Sequence, residues 1–187
     1  MVTSVEKNQQ SPVILATQQW LSDVVIGLNL CPFARKPQRA NLIRFTESSA
    51  SSEKELLAEL LAELEYLDAT HAEQLETTLL IIPNFLQDFV DYNQFLDLAD
   101  WLLERHEYDG VYQLATFHPH YQFAGTRAED AENLTNRAPY PILHLIREDS
   151  IERVLENYPD PEAIPDNNIK AVRNLTVEQR RKLFPYL

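Results

Sequence analysis

Residues 77–82, Thr77-Thr78-Leu79-Leu80-Ile81-Ile82, decide the fold. Four consecutive aliphatic residues leave no polar face, as expected of a strand covered by helices on both sides. Upstream, Ser52-x-x-Glu55 has the form of a capping box. It opens a helix in which Leu56, Leu57, Leu60, Leu61, Leu64 and Leu67 recur at helical spacing. Downstream, a helix is predicted from about Asn84 to Glu107, with Phe85, Phe89, Phe95, Leu98, Trp101 and Leu102 turned inward and Asp109-Gly110 stopping it. Strands are predicted over 41–46, 111–117 and 142–146. Ser11-Pro12 starts a helix over 12–29, which Pro32 ends. Further helices start at Asp149-x-x-Glu152, at Asp160-Pro161 and at the capping box Thr176-x-x-Gln179. Strands alternating with helices indicate a single layered α/β domain, a small mixed sheet of about four strands with helices packed on it. The expected boundaries are a disordered terminus over 1–10, the domain over 11–175 and a basic helical tail over 176–187.

Composition narrows the function. The chain has 187 residues, 44% of them apolar, enough for one real core. Its net charge of −13 argues against a nucleic-acid surface or an anionic membrane as partner. Only Gly27, Gly110 and Gly125 are glycine, where average usage would give roughly thirteen. Neither G-x-G-x-x-G nor G-x-x-x-x-G-K-[ST] occurs, so the two common glycine-rich phosphate cradles are absent. One cysteine cannot form an intramolecular disulfide or a cysteine-rich zinc site. No secretory signal or spanning apolar run is present, and a cytoplasmic location is expected.

The chemistry-capable residues concentrate between Thr116 and His144, a long connection rich in aromatic residues, amides and prolines. His118-Pro119-His120 puts two imidazoles on one side of an extended chain. His144 interrupts the apolar parity of Ile142 and Ile146, and pairing of the flanking strands could bring it toward His118. Three imidazoles would suit a metal, but no H-E-x-x-H pattern accompanies them, so no metal ligands are assigned. Thr135-Asn136-Arg137 joins a guanidinium to an amide and a hydroxyl, a set able to grip a carboxylate or phosphate, with Gly125 and Arg127 nearby in G-T-R. The same residues could instead pin the loop to backbone carbonyls.

Cys31, in N-L-C-P-F-A, looks like a C-P-[FY]-C redox motif whose second cysteine is Ala34. It follows a helix and precedes the first strand, where such a motif needs the reverse order, and no proline stands before Val111. Cys31 is therefore either a small buried hydrophobe or a thiol lining a pocket.

The runs W-L-S-D-V-V-I-G-L-N-L-C-P-F-A from Trp20, D-F-V-D-Y-N-Q-F-L-D-L-A-D from Asp88, F-H-P-H-Y-Q-F-A-G-T from Phe117 and T-N-R-A-P-Y-P-I-L-H-L-I-R from Thr135 resemble domain-of-unknown-function family 1415. The likeness extends from about Trp20 to Ala163. It implies a single-domain bacterial cytoplasmic protein and supplies no reaction. The family pattern is often acidic where this chain has His120, which leaves His118 and His144 the better histidine candidates. Two functional expectations follow. One is a small enzyme acting on a small anionic metabolite, with His118, His144 and Cys31 as catalytic candidates and Arg137, Asn136, Thr135, Gly125 and Arg127 as ligand-binding ones. The other is a non-catalytic metal- or haem-binding or adaptor domain. No cofactor and no oligomeric state is specified.

Overall fold

The computed structural model describes residues 11–187, so the reading of 1–10 as a disordered terminus lies outside the described residues. The first helix, α1 (Pro12–Trp20), is capped by the Ser11 hydroxyl accepting from Val13 N–H and runs straight into a π-helical segment, Leu21–Ile26. The single helix expected over 12–29 is thus a widened one. It turns out at Asn29, whose positive φ lets Leu30 N–H reach Val25 C=O at 2.8 Å. At Gly27 a side chain would place Cβ 2.1 Å from Asp23 C=O, so only glycine fits that turn.

A short helix α2 (Arg35–Arg39) leads to β1 (Ile43–Glu47). Then come α3 (Glu53–Asp68), β2 (Thr77–Ile81), α4 (Phe89–Arg105) and β3 (Tyr112–Phe117). A 3-10 turn at Ala131–Asn136 precedes β4 (Ile142–Arg147), and α5 (Glu148–Leu155), α6 (Ile164–Arg173) and α7 (Val177–Leu183) close the chain. The sheet order is β1-β2-β4-β3, with β1 and β2 parallel and β4 antiparallel to both neighbours. It is a single-domain α/β fold with one mixed four-stranded sheet.

Every residue of β2 is buried, as its aliphatic run requires. On one face Leu80, Leu143 and Leu145 meet α3 and α4. There Leu56, Leu60, Leu64 and Leu67 are fully buried, each stabilising the fold by roughly 2 kcal/mol. On the other face Leu79, Ile81 and Ile142 meet Trp20, the π segment, Leu134, Val172 and Phe184. The final segment thus contributes Phe184 to the core beyond its exposed basic helix. The reciprocal capping box at Thr176 and Gln179 is present.

Two details of α4 differ from expectation. It starts at Phe89, because the Asp88 carboxylate takes the N–H groups of Val90 and Asp91. Its inward stripe is Tyr92, Phe95, Ala99, Leu102 and Leu103, which leaves Trp101 55% exposed.

Candidate functional site

The loop after β3 is built against α4. The His118 ring lies 5.3 Å from Phe89 and 5.1 Å from Tyr92, and Phe89 also meets Tyr121 at 5.1 Å. His118 is fully buried. Its Nδ1 accepts the His120 N–H at 2.9 Å, which fixes the proton on Nε2, and Nε2–H donates to Leu86 C=O at 3.1 Å. Both ring nitrogens are occupied by backbone. Burial pushes its pKa down to about 4, with smaller upward effects of Leu86 C=O and Asp88. The ring is neutral near pH 7, with no open lone pair for a substrate.

His144 lies on the opposite side of the sheet. Its β3 partner is Ala115, three residues from His118, and an odd separation along an extended strand reverses the face. The expected approach of His118 and His144 therefore does not occur. His144 sits between Leu79 and Ala115 on the second face, with Phe117 6.4 Å away. The Thr77 hydroxyl donates to Leu145 C=O, so it accepts from His144 Nε2–H at 2.8 Å. Burial lowers the His144 pKa to about 4. Its Nδ1 makes no hydrogen bond among the described residues, and the residue is partly accessible.

The ligand-binding candidates hold the loop together. Arg137 donates from Nε to Tyr121 C=O at 3.3 Å and from Nη2 to Ala128 C=O at 2.6 Å. Its own carbonyl accepts from Trp20 Nε1–H at 2.9 Å and from the Tyr186 hydroxyl at 3.3 Å. Asn136 donates to Thr116 C=O, and Thr135 to Glu132 C=O. Arg127 is exposed and paired with Glu129 and Asp130. Gly125 occupies an exposed turn at φ +79°, with open space where a side chain would stand. Of these residues Arg137 alone combines partial burial with an unpaired charge. Among the described residues no carboxylate lies within ion-pair distance of it. Burial lowers its pKa, opposed by Tyr186.

Cys31 packs against the second core beside α2. Burial pushes its thiol pKa up, and the Phe33 and Ala34 N–H groups only partly offset this. The thiol is thus protonated near neutral pH, with no imidazole or guanidinium among the causes acting on it.

Sequence reasoning overlooked two residues. Asn133 is fully buried inside the loop. Its Oδ1 accepts from Phe123 N–H and the Thr126 hydroxyl, and its Nδ2 donates to Arg127 C=O. Arg147 donates to Leu67, Thr70 and Leu75 C=O and to the Tyr112 hydroxyl, clamping the α3–β2 connection. Both belong to patterns, N-L-T-N and a strand-end arginine, that carry no signal without register. Among the described residues no three His, Cys, Asp or Glu side chains converge to hold a metal ion, and no helix is long and apolar enough to cross a membrane.

No curated protein and no solved structure matches the chain. A family model described as "Protein of unknown function (DUF1415)" matches residues 12–182. With that match covering nearly all of the described residues, the chain belongs to the DUF1415 family.

Proposed function

We propose that the protein is a non-catalytic binding domain for a small anionic ligand, recognised by Arg137. The observation that carries this reading is the half-buried guanidinium with two N–H groups on carbonyls and, among the described residues, no carboxylate against it. A charge withdrawn from water is costly until a counter-charge faces it. A carboxylate or phosphate docked at the remaining Nη1 edge would supply one. The loop beneath is fixed by Asn133, Asn136 and His118, which suits recognition by a preformed surface. The metal form of the non-catalytic reading has no converging ligand set behind it among the described residues. A bacterial cytoplasmic home, with neither nucleic acid nor membrane as partner, completes the reading; an unpaired cysteine suits a reducing compartment.

The test is thermal unfolding with citrate, phosphate or acetate at constant ionic strength. A site-bound anion at about a hundred times its Kd adds roughly 2.7 kcal/mol of stability. Stabilisation of the wild type, lost in Arg137→Gln and reduced in Arg137→Lys, supports the reading. No anion-specific stabilisation, or equal stabilisation of wild type and Arg137→Gln, sinks it.

One observation favours the enzymatic alternative, a small enzyme acting on an anionic metabolite. His144 keeps an unbonded Nδ1 on a ring held neutral, the state a general base requires. Hydrolysis of p-nitrophenyl phosphate or p-nitrophenyl acetate that vanishes in His144→Gln would establish it. Absence of turnover, or turnover indifferent to that change, would leave the binding reading alone.

A further inference from the structure

The charge of the chain is unevenly placed. Residues 53–109 hold fifteen acidic side chains against Lys54 and Arg105, a balance of −13 equal to that of the whole sequence. That stretch forms α3, β2 and α4, so the helical layer on one side of the sheet carries the net charge. On the remaining, overall neutral part of the chain, the five residues of α2 include Arg35, Lys36 and Arg39. Together with Pro32 and Ala40 these cations line a solvent-open hollow of about 480 Å³.

Three like charges on little more than one helical turn repel each other. Some other cations face carboxylates, Arg44 with Glu63, Arg153 with Asp149 and Arg173 with Glu132. Among the described residues, Arg35, Lys36 and Arg39 make no ion pair. Only Arg35 makes a protein hydrogen bond, a long one of 3.5 Å to Ile26 C=O. The helix that bears them is fixed. Gln38 donates to the Ser22 hydroxyl at 3.1 Å, and Leu42 N–H closes back on Pro37 C=O at 3.0 Å past Asn41 in its left-handed conformation. The cations therefore line a shallow, solvent-open hollow on a fixed helix, together with Pro32 and Ala40.

We infer that this hollow binds a small phosphorylated molecule. Two guanidinium groups and an ammonium offer more donors than a monocarboxylate can accept, whereas a phosphate monoester presents three oxygens and up to two charges. The organic part of the ester lies against Pro32 and Ala40. This site is separate from Arg137 and independent of the binding function assigned to it.

The experiment titrates phenyl phosphate, inorganic phosphate and benzoate into the full chain by calorimetry at constant ionic strength. The variants are Arg35→Gln/Lys36→Gln/Arg39→Gln, a control triple Lys170→Gln/Arg181→Gln/Lys182→Gln and Arg137→Gln. The control removes the same charge from exposed positions of α6 and α7. Phenyl phosphate should bind most tightly, the α2 triple should weaken it at least tenfold, and the control should leave it within about twofold. Arg35, Lys36 and Arg39 are exposed and make no ion pair among the described residues, so that variant keeps its fold, checked by its unfolding midpoint. No saturable binding to the wild type, or equal weakening in both triples, overturns the inference. Loss in Arg137→Gln with retention in the α2 triple also overturns it, while sparing the loop reading.

Discussion

Acidification from pH 7.5 to 5 should destabilise the protein chiefly through two imidazoles, buried His118 and half-buried His144. His118 and His144 each titrate near 4 in the folded chain and near 6.5 when unfolded. Between those values the unfolded state takes up protons that the folded state refuses, so stability falls as the pH falls. The contribution is fully present above about 6.5 and is lost progressively toward 4. At pH 5 the difference amounts to roughly 2 kcal/mol for each ring, or about 4 kcal/mol together. That is a large part of the 5–15 kcal/mol typical of a domain. Carboxylates whose pKa is lowered, Glu55 and Asp130, add their own loss at lower pH, outside this window. The assay is the urea midpoint at half-unit steps of pH for wild type, His118→Gln and His144→Gln. Each variant should begin less stable at pH 7.5 and lose stability about half as steeply. A wild-type midpoint flat from pH 7.5 to 5, or an unchanged slope in both variants, would refute the reasoning.

Three further outcomes follow from the same contacts. Arg147→Met should cost about 3 kcal/mol in urea unfolding, at roughly 1 kcal/mol for each of the Leu67, Thr70 and Leu75 carbonyls left without its donor. Arg147→Lys should recover only part, since an ammonium lacks the planar fork. Asn133→Ala should leave the sheet intact while speeding hydrogen exchange at the Phe123 amide at least about tenfold, because that N–H loses its acceptor. Iodoacetamide should modify Cys31 slowly in the native protein, with an apparent pKa above the usual thiol value near 8.5, and rapidly once urea unfolds the chain. Fast native alkylation at pH 7 would restore Cys31 as a reactive thiol.

The sheet was legible because its signals are local. The Leu79–Ile82 run has one reading in a layered fold, and the side-chain caps at Ser52 and Thr176 form where the spacing places them. The π segment was not, because its apolar spacing reads equally well as an ordinary α-helix. Trp101 stands on the outer face despite its size, because Ala99 takes the inward position at that angle of the helix. The candidate site was legible as a set of residues and illegible as an arrangement. Whether His118 meets His144 depends on which β3 residue faces His144, and register is a tertiary property. Whether Arg137 is a ligand anchor or a loop pin depends on carbonyls at Tyr121 and Ala128, whose approach no local pattern encodes.

The most direct test of the central claim follows the Arg137 Nε–Hε resonance by ¹H–¹⁵N NMR while citrate is titrated at constant ionic strength. The account predicts a saturable shift at that signal, with the Tyr121 and Ala128 region responding in step. A resonance that stays fixed while citrate perturbs other sites, or perturbs none, would contradict it.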